Sequence, residues 1–259
     1  MKFIRSVALI LNYKTLIVTG ISVIGTWVCI QFDITANFPL TIVGIAIVFP
    51  IVFSISGAFK RRERALVALA EIRGFALGIY LTAKNLSDIF SEEDDQRIKT
   101  KIVDLFTAIK VFLESPKLHS KELEKKIYVN LGELSKEVRF LKDKGLAGRF
   151  ASRLSQYLTR LTVALDTMKV IFYYRTPLTL RAYSKVFIYA FPIIYAPYFA
   201  LISYDFAGYL SFVMPVLFSF ILISLDNIQE HLEDPYDQIG EDDITIDIED
   251  IKDMIGNED

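Results

Sequence analysis

Four stretches of this chain contain no Asp, Glu, Lys, Arg or His: Thr15–Phe32, Pro39–Phe59, Val186–Tyr204 and Phe206–Leu225, of 18, 21, 19 and 20 residues. About 20 apolar residues at 1.5 Å rise cross a hydrocarbon core of roughly 30 Å. The core of a large soluble protein could hide one such run. Four of them in 259 residues are read as the spans of a polytopic membrane protein. The 53% hydrophobic content and the mean hydropathy of +0.37 follow from these runs.

Charge sets the expected topology. Lys2, Arg5 and Lys14 precede the first run, Lys60, Arg61, Arg62 and Arg64 follow the second, and Arg175, Arg181 and Lys185 precede the third. The short connections after Phe32 and at Asp205 carry no base. Lys and Arg near span ends favour the cytoplasmic side, so both termini and the central block are placed inside, at a cell membrane. The opening "MKFIRSVALILNYK" reads as an amphipathic leader rather than a cleaved signal, because no small-residue cleavage site precedes Pro39. The single cysteine, Cys29, lies inside the first run, which excludes disulfides and CxxC redox chemistry.

The central block has helical periodicity. Ser91 and Asp94 stand in capping-box spacing, and Ile98, Ile102, Leu105, Phe106, Ile109 and Phe112 then recur at three and four. Leu123, Ile127, Leu131, Leu134, Val138 and Leu141 repeat the pattern, with Gly145 as the C-terminal stop. A third helix runs from Gly148 to Tyr174 and ends before Pro177. The fold class is therefore all-α: four transmembrane helices and a helical cytosolic layer. The expected organisation is a leader and hairpin over 1–59, a cytosolic domain over 60–185, a second hairpin over 186–225 and an acidic tail over 226–259. That tail holds 14 acids against the single base Lys252, whereas 60–185 holds 25 bases against 15 acids.

In the second run, Ile45, Phe49 and Phe53 stand at i, i+4 and i+8, hence on one stripe of a helix. Pro50 falls inside this helix and is expected to kink it or to free a carbonyl, which is tolerable beside neighbours or a cavity. Two readings compete for the stripe. One is ordinary helix packing. The other is a pore lining, where rings of Ile and Phe from several subunits make a hydrophobic constriction that gates by dewetting.

Three stretches resemble the bestrophin family of pentameric ion channels in its bacterial form. They are Gly44-Ile45-Ala46 through Ala58-Phe59-Lys60-Arg61, then "YRTPLTLRAY" at Tyr174–Tyr183, and "LDNIQEHLEDPY" at Leu225–Tyr236, similar to a bacterial consensus LDEIGEQLEDPF. The chain departs from the family where "RRERALVALAEIRG" replaces a Trp-Trp-Glu-Ala-Arg element, and where Thr179 replaces a second proline. The resemblance implies five copies around one axis, a neck at Ile45, Phe49 and Phe53, and passive conduction. The permeant ions would be chloride and other monovalent anions, or monovalent cations, which bacterial members can prefer. It also implies that His231, Leu232, Pro235 and Tyr236 pack against the cytosolic layer of their own or the next subunit.

For the tail, the resemblance implies a calcium site with Asp234, Asp242 and Asp243 as its candidate ligands; calcium takes six to eight oxygens, which acid-dense turns supply. The competing reading is a solvated acidic tail. An insertion of about two residues, and His231 where the family has Gln, weigh against the metal. Two distant histidines and one membrane-embedded cysteine make neither a zinc site nor a nucleophile triad. No phosphate-cradling glycine loop is present, so the chain is read as no enzyme. Interleaved acids and a membrane tether argue against nucleic acid. A secondary transporter would place ionisable groups near the midplane, whereas Asp33 and Asp205 sit at the outer edge. A non-conducting membrane scaffold remains the third class.

Overall fold

The computed structural model describes residues 12–37, 39–85, 89–115, 120–175, 177–205, 210–238 and 243–256. The leader up to residue 11 therefore lies outside the described residues, as does Asp242 among the expected calcium ligands. The described residues fold into helices and no strands: α1 Tyr13–Gln31, α2 Leu40–Asn85, α3 Glu92–Glu114, α4 Ser120–Asp143, α5 Gly148–Tyr173, α6 Leu178–Asp205, α7 Leu210–Glu233 and α8 Ile248–Met254. Among the described residues, four helices are long and apolar enough to cross a membrane. Among the described residues the chain forms two compact units. One draws on Met1–Arg62 and Arg175–Asp234, the other on Glu63–Tyr174, Pro235–Gln238 and Asp242–Asp259.

The first unit packs α1 against α6 and α7, and α6 against α7. Its core combines Val18 with Ile47 and Ile51 of α2, Ile188, Phe191, Tyr195 and Phe199 of α6, and Leu222 and Ile223 of α7. Phe191 and Tyr195 stack at 4.7 Å between centroids, a favourable offset geometry. Small residues let helices approach where lipid gives no hydrophobic drive. A Cβ on Gly25 would lie 3.4 Å from the Ala196 Cβ, so α1 and α6 touch almost backbone to backbone there. The Ser22 hydroxyl donates to the Pro215 carbonyl at 3.4 Å, and the Thr26 hydroxyl donates to the Ser22 carbonyl at 2.9 Å. Hydroxyls buried in an apolar layer are thereby given acceptors.

The end of α1 shows why the chain turns. The Ile34 amide donates to the Cys29 carbonyl at 2.9 Å and the Asp33 amide to Ile30 at 3.4 Å, with Asp33 left-handed at φ 55°. This is a Schellman close, and Asp is among the few non-glycine residues that accept that conformation. α4 ends the same way: Leu146 donates to Leu141 at 3.0 Å and Gly145 to Lys142 at 3.1 Å, with Gly145 at φ 117°.

The second unit is a helical layer that includes the C-terminal part of α2, from Glu63 onward. An alanine seam, Ala65, Ala68, Ala76 and Ala83, with Ile72 and Ile79 between, is buried in a core shared with Phe106 and Phe112 of α3, Leu134 of α4, and Leu154 and Phe172 of α5. The start of α3 is closed by a capping box between Ser91 and Asp94. The Asp94 carboxylate accepts the Ser91 amide at 2.9 Å and hydroxyl at 2.8 Å, and pairs with Lys144. Burial alone would raise this carboxyl. The Lys144 ammonium and both Ser91 donors outweigh it and hold the group below its ordinary value.

The tail is not simply a solvated acidic strand. Residues 226–233 continue α7. Beyond them Tyr236, Ile244, Ile246, Ile251 and Ile255 are all buried in the core of the second unit. The Ile244 amide donates to the Pro235 carbonyl at 2.8 Å, and the Lys99 ammonium to the Gly256 carbonyl at 2.7 Å. Asp247, Glu249, Asp250 and Asp253 are exposed beside these buried isoleucines.

Candidate pore-lining face and juxtamembrane cluster

The membrane half of α2 is apolar all round, so composition alone does not say which side packs inward. The structure buries Ile47 at 3%, and Ile51, Ser54 and Ala58 at 0% exposure, while Ile45, Phe49 and Phe53 are 57%, 59% and 61% exposed. At 100° per residue the two sets lie on nearly opposite faces. The Phe49 and Phe53 rings are 5.3 Å apart and inclined at 59°. Pro50 sits half-buried inside a helix that continues past it to Asn85. A cavity of about 390 Å³ flanks the stripe, walled by Ile45, Val48 and Phe49 on α2 and by Phe191, Phe218 and Leu222 on α6 and α7. The surface available on this face is thus aliphatic and aromatic, with no charge.

A polar cluster closes the other end of the same unit. Glu230 pairs with Lys14 at 2.6 Å and also with Lys185, Arg181 meets Glu233 at 2.9 Å, and Arg175 meets Asp234 at 2.6 Å. Asn12 accepts from the Lys14 and Thr15 amides as the cap of α1 and donates to Asn227 at 2.9 Å. Acids on one helix end therefore neutralise bases brought from α1 and from the start of α6. A charged group at the edge of an apolar layer is tolerated when paired in this way. Asp226 is 1% exposed and keeps one carboxylate oxygen without a hydrogen bond among the described residues.

The residues expected from the sequence are distributed as follows. His231 and Leu232 are half-buried, Pro235 is buried, and Tyr236 is 1% exposed with its ring 6.4 Å from Phe172. Asp234 is occupied by Arg175, Asp243 is half-buried, and no trio of His, Cys, Asp or Glu among the described residues is arranged to hold a metal. Sequence reasoning passed over Glu230 and Glu233, the acids that tie three bases together. Their spacing of three on a helix, behind a charge-free span, was the available signal.

No protein-family model matches the sequence, and no curated protein matches it. Solved structures do. A bacterial bestrophin homologue from Klebsiella pneumoniae superposes with a TM-score of 0.75 at 18% identity, over 94% of this chain and 98% of that one. Two variants of that homologue, one with a tyrosine and one with a tryptophan changed to alanine, give TM-scores of 0.78 at 19% identity. They cover 94% of this chain and 99% and 97% of theirs. At these identities the likeness establishes the architecture: the chain has a bestrophin-like fold.

Proposed function

We propose that this chain is one subunit of a passive oligomeric ion channel, a homopentamer whose five α2 helices line a hydrophobic neck at Ile45, Phe49 and Phe53. The observation that carries the reading is the face of α2: three large apolar side chains left more than half exposed, opposite a fully buried face of the same helix. In a lone subunit the described residues leave this stripe largely uncovered. Around an axis it becomes stacked rings of aliphatic and aromatic surface. The bestrophin-like fold of the whole chain supports the same arrangement.

Such a neck holds no fixed charge, so it controls flow by wetting and drying rather than by a binding site. Aromatic edges carry the positive rim of the ring quadrupole, which favours monovalent anions such as chloride. Conduction is driven by the ion gradient alone and needs no covalent cycle. The channel sits in the cell membrane with both termini in the cytoplasm, as the bases flanking the spans favour.

The test is the reversal potential of the purified protein in a planar bilayer under a chloride gradient, repeated with sodium replaced by a bulky cation. A potential that tracks chloride supports the anion channel. One that tracks sodium keeps the neck and reverses the selectivity. A pentamer-sized protein that carries no current refutes conduction and leaves a membrane scaffold.

A further inference from the structure

We infer that Lys60 forms a ring of positive charge at the inner mouth of the neck and sets its preference for anions. The inference rests on the pore-lining reading of α2. Its first support is helical phase. Phe49 to Lys60 is eleven residues and Phe53 to Lys60 is seven, which at 100° per residue return to the same face within about 20°. The segment from Phe53 to Lys60 is helical and free of proline. At 1.5 Å per residue the lysine Cα lies about 10 Å beyond that of Phe53. Ser56, half-buried and one turn before Lys60, lies between the aromatic stripe and the charge. The face thus grades from aliphatic and aromatic to hydroxyl to ammonium.

The second support is what the other bases do. Lys14, Arg175, Arg181 and Lys185 of the same unit are each tied to a carboxylate of Glu230, Glu233 or Asp234. Lys60 is exposed and makes no hydrogen bond or ion pair among the described residues. Its neighbours Arg61, Arg62 and Glu63 are engaged, and Arg64, one turn further on and also exposed, makes no hydrogen bond or ion pair among the described residues either. A base left unneutralised on the face that carries the neck is placed to act on ions rather than on the fold.

Copies related by a rotation axis put their lysines at one depth. Screening falls off over about 8 Å at physiological salt, and the apolar neck wall focuses the field toward the opening. An anion leaving the dewetted segment meets compact ammonium charge, while a cation is repelled. Rings of Lys or Arg are the general device for anion pores.

The experiment compares Lys60→Arg, Lys60→Gln and Lys60→Glu in the full-length protein, with Phe53→Ala as a control on the neck. Each variant is first matched to the parent by size. The readout is the anion-to-cation permeability ratio at low and high salt. The expected result is a ratio kept by Lys60→Arg, reduced several-fold by Lys60→Gln and reversed by Lys60→Glu, with the differences shrinking at high salt. Lys60 facing lipid or bulk solvent would give a flat series beside a Phe53→Ala variant of raised conductance; that outcome overturns the inference and leaves the neck standing. Phe53→Ala without effect, in a conducting channel, removes the neck and the inference with it. A parent channel that follows sodium also overturns it.

Discussion

Neighbouring residues of the C-terminal segment have opposite fates, and replacing each in turn tests what holds that segment down. Ile251 is 1% exposed in the core of the second unit. Asp250 points outward and pairs with Arg73 at 2.6 Å, with side chains 55% and 37% exposed. Ile251→Ala removes three carbons worth about 0.8 kcal/mol each, and the cavity left behind brings the cost to about 3–4 kcal/mol. Asp250→Asn breaks a solvent-exposed pair and costs about 0.2–1 kcal/mol. For a chain of this size about 2–4 °C of melting temperature goes with each kcal/mol. Ile251→Ala should therefore melt roughly 6–16 °C below the parent, and Asp250→Asn within about 4 °C of it. The assay is intrinsic-fluorescence melting of the detergent-purified assembly, together with limited proteolysis of the tail at low salt and at about 1 M salt, where exposed charges are screened. A tail held by isoleucines stays protected at high salt. Equal melting of the two variants, or tail cleavage induced by salt alone, would refute the reasoning and return the segment to an electrostatically tethered tail.

Other outcomes follow from the same geometry. Phe49→Ala and Phe53→Ala should each raise single-channel conductance in an intact oligomer; unchanged currents in a correctly assembled double variant would remove the neck assignment. Asp94→Ala should cost about 1–2 kcal/mol, because it removes the carboxylate that accepts from the Ser91 amide and hydroxyl and pairs with Lys144. The folded Asp94 carboxyl sits below its ordinary value, so its contribution is complete above about pH 4 and is lost as pH falls through the folded value. An Asp94→Asn variant should accordingly lose less stability than the parent between pH 5 and pH 3, measured by the same melting assay. Because Asp234 is engaged by Arg175, chelating calcium should leave the melting temperature and the current unchanged; a calcium-dependent rise in either would reinstate Asp234 as a ligand.

How much of this was legible in advance varies by element. The spans were legible because a charge inside hydrocarbon is costly, so its absence over about 20 residues is a strong local sign. The capped start of α3 was legible because Ser91 and Asp94 satisfy each other within one turn. The glycine stop after α4 was legible because a left-handed residue is needed there. The tail was read as acidic because 14 acids dominate the count. Yet "ITIDIEDIKDMI" carries alternating and then helically spaced isoleucines, and those are what the core takes up. Net charge obscured a periodicity that was present.

The sequence by itself determined what local energetics determine: which segments enter a membrane, where helices start and stop, and that the chain is all helical. It could not choose the inward face of α2, because a helix apolar on every side has no amphipathic phase to read. That choice was made by the aromatic side chains of α6 and α7, which cover Ile47 and Ile51 and leave Phe49 and Phe53 outside. Nor could it say which bases stay free. Glu230 meets Lys14 across 216 positions and Glu233 meets Arg181 across 52, and only folding brings those charges into contact. Lys60 reads like its fellow bases in the sequence. It differs from Lys14, Arg175, Arg181 and Lys185 because the tertiary structure offers it no carboxylate among the described residues.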